Sequence, residues 1–381
     1  MIRFLYPLVL FCAITINGYT DPAPLPIEKI DPDMAVIEPD KNVHWFNALD
    51  IGLEGQAWQN LAHPYDRMPI EAEEIVRPAV WSLSRNSAGL FLRFLSDSRR
   101  VSARWSLRKE SLAMDHMPAT GVSGLDLYVR DGNTWRWVAT GRPKKQIDNE
   151  TLLISQSPDG MHEYMLYLPL YNGTQRLEIG LDPESTLAHA PDYAPDHAKP
   201  ILFWGSSILQ GGCASRTGMA YPSIIGRNLH RPTINLGFSG NGKMDPEIVQ
   251  LIAKLDPAMY VIDCVPNMNS EMVAQRTGPL VRMLHASHPN TPIVLIENIV
   301  YQNGWFIDSS KRRYQDKNLE LRKAYDRLIT QGITNLHYIK GDNLLGDDEL
   351  GTVDGVHPTD LGFLRMAQAI GPILDSILLG K

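Results

Sequence analysis

The feature that most constrains this chain is a change of hydrophobic period near residue 200. From about residue 80 to residue 182 the apolar residues alternate. Leu90, Leu92 and Phe94 share one face of a strand, and Val101, Ala103, Trp105 and Leu107 share one face of the next. Residues 125–141 read as two more strands joined at Asp131-Gly132. A period of two with short turns predicts antiparallel strands, arranged as a β-sandwich. Beyond residue 200 strand-like runs at 201–204, 233–236, 259–265, 293–299 and 336–339 alternate with helices. Asp245-Pro246-Glu247 and Ser270-Glu271 supply helix starts, and the last helix is expected over 360–378. This alternation predicts a parallel sheet with helices on both faces, whose sites gather at the carboxyl ends of the strands. The expected organisation is a leader at 1–20, a β-sandwich domain over 21–188, a Pro-, Asp- and His-rich linker over 189–200, and an α/β domain over 201–381.

The formal net charge is -7 and no dense Lys/Arg block occurs, which argues against nucleic acid or an anionic membrane as partner. Arg3 precedes an apolar run from Phe4 to Ile16, too short to span a bilayer but suited to a secretory signal peptide cut near Gly18 or Thr20. Cys12 lies inside that run and Val9-Leu10-Phe11 before it is a poor lipoprotein site, so the expectation is an exported, periplasmic or secreted protein without a stable membrane span. Export leaves Cys213 and Cys264, which either pair as a disulfide or stay as two buried thiols. His189, Asp192, Asp196 and His197 hint at a metal, but their spacing matches no standard ligand pattern and they read as loop residues. Trp105, Trp135 and Trp137 could form a carbohydrate platform, with packing in the sandwich core as their ordinary role.

Four short elements carry chemistry. Gly205-Ser206-Ser207-Ile208 follows the first strand of the α/β half, a turn containing Gly240 follows the second, and Asn267 ends the third. Asp354 and His357 lie between the fifth strand and the last helix, at a spacing that puts both on one side of a helical turn. A serine hydroxyl needs a base to take its proton, and the base needs a carboxylate to hold its tautomer. Backbone N–H groups at Gly240 and at the nucleophile, with the Asn267 amide, could receive an oxyanion. Arg216 and Tyr221 could contact substrate, with helix capping and packing as their ordinary role. Leu209 stands where an α/β-hydrolase elbow would need glycine.

This ordered set resembles the SGNH (GDSL-type) hydrolases over roughly residues 200 to 378. The resemblance implies a flavodoxin-like three-layer fold with a five-stranded parallel sheet. It implies Ser207, not Ser206, as nucleophile, Asp354 and His357 as its partners, and Ser207, Gly240 and Asn267 as the oxyanion hole. It implies no metal or organic cofactor. Gly124-Leu125-Asp126-Leu127-Tyr128 looks like the Gly-x-Asp-Leu-Tyr element of the β-domain preceding one esterase branch of that family. The asparagine block departs from the usual Gly-x-Asn-Asp, reading Val265-Pro266-Asn267-Met268, and Ser206 replaces the usual Asp; both bear on subfamily and substrate. The implied function is an exported serine esterase acting on small acyl esters, with O-acetyl groups on poly- or oligosaccharides as the expected substrate. Two alternatives stand beside it: a carbohydrate-binding protein with a vestigial hydrolase domain, and a lipid acylhydrolase whose lid would be the loop bearing Trp305 and Phe306.

Overall fold

The computed structural model describes residues 42–380, so the expected leader lies outside the described residues. Ten strands form the first half: β1 (His44–Asn47), β2 (Leu53–Glu54), β3 (Phe91–Ser96), β4 (Val101–Leu107), β5 (Leu125–Asp131), β6 (Thr134–Gly141), β7 (Asn149–Ile154), β8 (His162–Tyr167), β9 (Thr174–Leu181) and β10 (Leu187–His189). They pair into two antiparallel sheets, β1-β9-β4-β7 and β10-β3-β8-β5-β6, with β2 beside β3. The alternating residues explain the sandwich. Leu90, Leu92, Phe94, Val101, Ala103, Trp105 and Leu107 all enter one core between the sheets. Gly132, with φ +57°, turns β5 into β6.

The second half has β11 (Ile201–Gly205), β12 (Thr233–Gly237), β13 (Met259–Asp263), β14 (Ile293–Ile296) and β15 (Leu336–Ile339), all parallel, in the order β12-β11-β13-β14-β15. Burial on both faces gives these strands continuous apolar runs. Leu202 and Trp204 point to the helices Pro246–Ile252, Ser270–Ser287 and Asp308–Thr330, and Ile201 and Phe203 to the helices Tyr221–Leu229 and Asp360–Leu378. The last helix is long and apolar enough to cross a membrane, but Phe363, Met366, Ile370 and Leu374 bury its apolar face in this core.

Two features join the halves. Met68, Ala72, Val76, Val80 and Trp81, between β2 and β3, belong to the core of the parallel sheet. There the buried Arg67 donates to the carbonyls of Asn235 and Gly237, capping the open edge of β12 at 2.8 and 2.9 Å. The outer face of the second sheet also packs on the α/β half. Tyr128 and Tyr167 lie beneath the Arg227 guanidinium, at 4.1 and 5.3 Å from their ring centroids, on the helix Tyr221–Leu229.

Candidate active site

At the carboxyl end of β11 the chain turns directly into the short helix Ser207–Gln210. The turn is possible because Gly205 has no side chain: a Cβ there would stand 2.5 Å from the Asp263 carbonyl oxygen. Ser206 is fully buried and caps the helix, its Oγ accepting the Ile208 N–H at 3.3 Å. Ser207 begins the helix, and its Oγ lies 2.9 Å from His357 Nε2. The two serines are thereby separated in role by one residue of backbone geometry.

His357 comes from the far end of the sheet, ahead of the last helix. Asp354 Oδ1 accepts the backbone N–H of Val356 and of His357 at 3.0 and 2.8 Å, and its Oδ2 faces His357 Nδ1 at 2.7 Å. These bonds form a side-chain-closed loop, where the sequence spacing suggested a helical turn; Val353 N–H to the His357 carbonyl and Thr352 opposite Pro358 lock it. Burial pushes the Asp354 carboxyl up, but the His357 backbone N–H, the His357 ring and the Val356 N–H outweigh it, and the net shift is downward. An ionised Asp354 holding Nδ1–H leaves Nε2 free to take the Ser207 proton.

The expected oxyanion donors lie at the adjacent strand ends. Gly240, exposed and at φ +67°, sits in a turn closed by Asn241 and Gly242 N–H bonds to the Phe238 carbonyl, and Gln210 Oε1 anchors the turn by accepting Ser239 N–H at 2.9 Å. Asn267 Oδ1 accepts Gly242 N–H at 3.1 Å, which fixes the amide and leaves its Nδ2 to donate elsewhere. Below it the buried Lys317 donates to the Pro266 carbonyl at 3.1 Å. Burial, then Arg313, pulls that ammonium down to about 8. Lys317 was missed in the sequence, although it interrupts the stripe Tyr314, Leu321, Ala324 and Leu328, where a lysine on an apolar face is itself a signal.

Several expectations change. Tyr221 is fully buried and donates to Asp263 Oδ2 at 2.9 Å, so it faces the core and not a substrate. Arg216 turns toward the sandwich, donating to Asp126 Oδ2 at 2.8 Å and contacting the Tyr128 hydroxyl at 2.7 Å. Cys213 and Cys264 are both buried free thiols, so the disulfide option is not realised. Cys264 Sγ bonds the Trp204 carbonyl inside the sheet core, while Cys213 lies past the helix Ser207–Gln210, where burial and the Asp354 charge push its thiol up to about 12. Trp137 is half exposed and donates to Asp126 Oδ1 at 2.9 Å, and only Trp105 is fully in the sandwich core. Trp305 is 75% exposed, on a loop whose Gln302 N–H donates to the Gly355 carbonyl beside Asp354. Among the described residues no group of three His, Cys, Asp or Glu side chains is placed to hold a metal, and His189 and His197 bond separate carbonyls, of Ile51 and His230.

One residue near the triad carries no sequence signal at all. The exposed His116, in the sandwich half, brings its ring centroid to 6.0 Å from that of His357. A cavity of about 320 Å³ bordered by Arg93, Arg130, Trp135, Tyr193 and His230 lies elsewhere, and no triad residue lines it.

Residues 198–375 match the GDSL-like lipase/acylhydrolase family, and residues 43–187 match the N-terminus of SGNH-hydrolase-type esterases. A Bacteroides ovatus protein described as a GDSL-like lipase is 33% identical, with a TM-score of 0.84 over 89% of this chain and 98% of that one. A salicylyl-acyltransferase from a tetracycline biosynthetic pathway shares the fold at 20% identity, with a TM-score of 0.72 over 90% of this chain and 99% of its own. An acetyl xylan esterase from Butyrivibrio proteoclasticus shares it at 10% identity and a TM-score of 0.58, over 89% of this chain and 99% of that one. No curated protein matches the sequence. Taken with the sheet order and the strand-end constellation, the chain belongs to the GDSL-like lipase/acylhydrolase family and is a carboxylic ester hydrolase.

Proposed function

We propose that this chain is an exported serine esterase that removes small acyl groups, acetyl above all, from poly- or oligosaccharides. Ser207 Oγ attacks the ester carbonyl as its proton passes to His357 Nε2, and Asp354 holds the ring and balances the imidazolium. The oxyanion is received by the N–H groups of Ser207 and Gly240 and by Asn267 Nδ2. His357 then gives its proton to the departing alcohol oxygen, and water, activated by the same nitrogen, releases the acid from the acyl-enzyme. The observation that carries the reading is the continuous contact from Ser207 Oγ through His357 to Asp354, at 2.9 and 2.7 Å. Acetyl on sugar is supported by the acetyl xylan esterase and the family two carbohydrate esterase of Clostridium thermocellum among the fold neighbours, and export by the apolar run after Arg3.

The test is acetate release from acetylated xylan beside p-nitrophenyl acetate, with wild type and Ser207→Ala. Release from both that is lost in the variant supports the proposal. Cleavage of the activated ester alone keeps the mechanism and removes the sugar. Full activity in Ser207→Ala overturns the mechanism. A second reading, action on longer acyl chains, has the exposed Trp305 and Phe306 in its favour, at 75% and 78% exposure; a rate rising from acetate through hexanoate nitrophenyl esters would select it.

A further inference from the structure

One turn of the sandwich half brings an exposed side chain beside His357. Met114 and Met117 bond each other's backbone through both N–H groups at 3.0 Å, so Asp115 and His116 form the tip of a two-residue turn. The tip is held from both sides. Met117 is buried and Met114 packs on the same core as Ile208 and Leu209 of the nucleophile helix. Just after the turn, Thr120 Oγ1 donates to the Ser215 carbonyl, and Gly121 lies so close to Ala214 that a Cβ would stand 2.1 Å from its carbonyl oxygen. Ser215 in turn donates its N–H to Asp360 at 2.9 Å, at the start of the helix that follows His357. His116 is therefore fixed relative to His357 by packing on the segment that follows Ser207, and its own ring stays exposed.

We propose that His116 is a specificity-determining residue that hydrogen-bonds the alcohol side of the ester, and that it selects alcohols bearing a hydroxyl next to the esterified oxygen. The inference rests on the esterase reading and extends it to the leaving group. The departing oxygen must lie within reach of His357 Nε2, because that nitrogen returns the proton to it. What is attached to that oxygen therefore lies beside the His357 ring. Rings with centroids 6.0 Å apart and tilted by 59° border one narrow span, so a group carried next to the departing oxygen at His357 comes within hydrogen-bond reach of the His116 ring. A neighbouring hydroxyl, as on a sugar, can fill that span, whereas an alkyl or aryl alcohol offers nothing for an imidazole nitrogen to bond. The acyl group, directed at the oxyanion donors, does not enter this space.

The experiment compares wild type, His116→Ala and His116→Gln on methyl O-acetyl-xyloside, ethyl acetate and p-nitrophenyl acetate, and on nitrophenyl esters of increasing acyl length. His116→Ala is expected to lower kcat/KM about tenfold on the xyloside, the effect of one lost hydrogen bond. It should leave the two hydroxyl-free acetates within about twofold and the acyl-length order unchanged. His116→Gln, which keeps a donor and an acceptor, should recover part of the loss. An equal loss on all three acetates, or a moved pH profile on p-nitrophenyl acetate, would show that His116 only supports His357 and would overturn the proposal. No selective loss on the xyloside overturns it also, as does a wild type that cleaves both simple acetates but not the xyloside, and then the esterase reading survives. A wild type that cleaves no ester removes both.

Discussion

Asp126 offers the sharpest test of how the two halves are held together. Its side chain is fully buried, and its Oδ2 accepts from Arg216 Nη1, Gly218 N–H and the Tyr128 hydroxyl at 2.8, 2.9 and 3.1 Å. Its Oδ1 accepts from Trp137 Nε1 at 2.9 Å. Two of these donors, Arg216 and Gly218, belong to the α/β half, just past the nucleophile helix. In Asp126→Ala the buried Gly218 N–H is orphaned, costing about 1–3 kcal/mol, and the Arg216 guanidinium loses its carboxylate. Arg216 keeps Tyr128 and is 25% exposed, so the total falls near the middle of the usual range for breaking a buried pair, about 4 kcal/mol. For a chain of 381 residues at about 2.1 cal/mol/K per residue this lowers Tm by about 5 °C.

Asp126→Asn should behave differently. Burial pushes the Asp126 carboxyl up, against the pull of Arg216, the Gly218 N–H and Arg227, so the folded protein bears a cost for that charge which a neutral amide relieves. The amide keeps its oxygen for Gly218 and Arg216, while its NH₂, standing in place of Oδ1, faces the Thr140 hydroxyl at 3.4 Å and displaces the half-exposed Trp137 N–H toward solvent, so its cost should be about 1–2 kcal/mol. Calorimetry together with urea unfolding reads both variants. Asp126→Ala within about 1 kcal/mol of wild type would refute the clasp, and Asp126→Asn as damaging as Ala would refute the argument about the charge. Neither variant touches Ser207 or His357, so p-nitrophenyl acetate turnover below the melting range should stay within a few-fold.

Ser206→Ala should lose about 1 kcal/mol of stability with the helix cap but keep esterase activity; a dead Ser206 variant beside an active Ser207→Ala would reverse the assignment. Asp354→Asn should lower kcat by about 10⁴-fold, since an amide favours the wrong imidazole tautomer, and a loss under tenfold would mean that His357 needs no carboxylate. Because the Asp354 carboxyl is held below its ordinary range, the acid-side fall of kcat/KM should not come from its protonation. Asp263, buried against Tyr221, has its carboxyl pushed up to about 7 by burial, with the Tyr221 hydroxyl pulling the other way. The native state then holds a proton that the unfolded chain releases near pH 4, so stability falls as pH rises from about 4 to about 7 and is level beyond, by at most roughly 4 kcal/mol. Asp263→Asn should flatten that slope in urea melts, and an unchanged slope would assign it to another group.

Both hydrophobic periods and the residues that meet at Ser207, His357 and Asp354 were legible in the sequence because each rests on local pattern. The strand runs at 201–204 and 336–339, the helix over 360–378 and the Asp354–His357 pair all depend on neighbours in the chain. The failures were non-local. Whether Arg216 and Tyr221 face substrate depends on what lies opposite, and only the fold puts Asp126 and Asp263 there. Residues 68–81 carry little period of their own and take their place from the sheet they cover. His116 sits in a turn whose composition resembles any other, and its neighbour His357 is more than two hundred residues away in sequence.

The segment from Gly211 to Gly218 explains why a sandwich precedes this α/β fold. It leaves the nucleophile helix with no regular partner of its own up to the short turn at Thr217–Met219, and a buried backbone of that kind must find its hydrogen bonds elsewhere. The sandwich supplies them on one side, through Thr120 at Ser215 and Asp126 at Gly218, and Tyr171 reaches the Ser207 carbonyl itself at 3.2 Å. The last helix supplies them on the other, through Asp360 at Ser215, while Gly212 lies so near His357 that a Cβ would stand 3.5 Å from the ring. Ser207 and His357 thus reach their 2.9 Å contact across a segment clamped from both halves. Preorganisation to within a fraction of an ångström is what such a contact requires. The N-terminal strands therefore help to hold the Ser207–His357 contact, and on the proposed mechanism the turn that carries His116 faces the alcohol side of the ester.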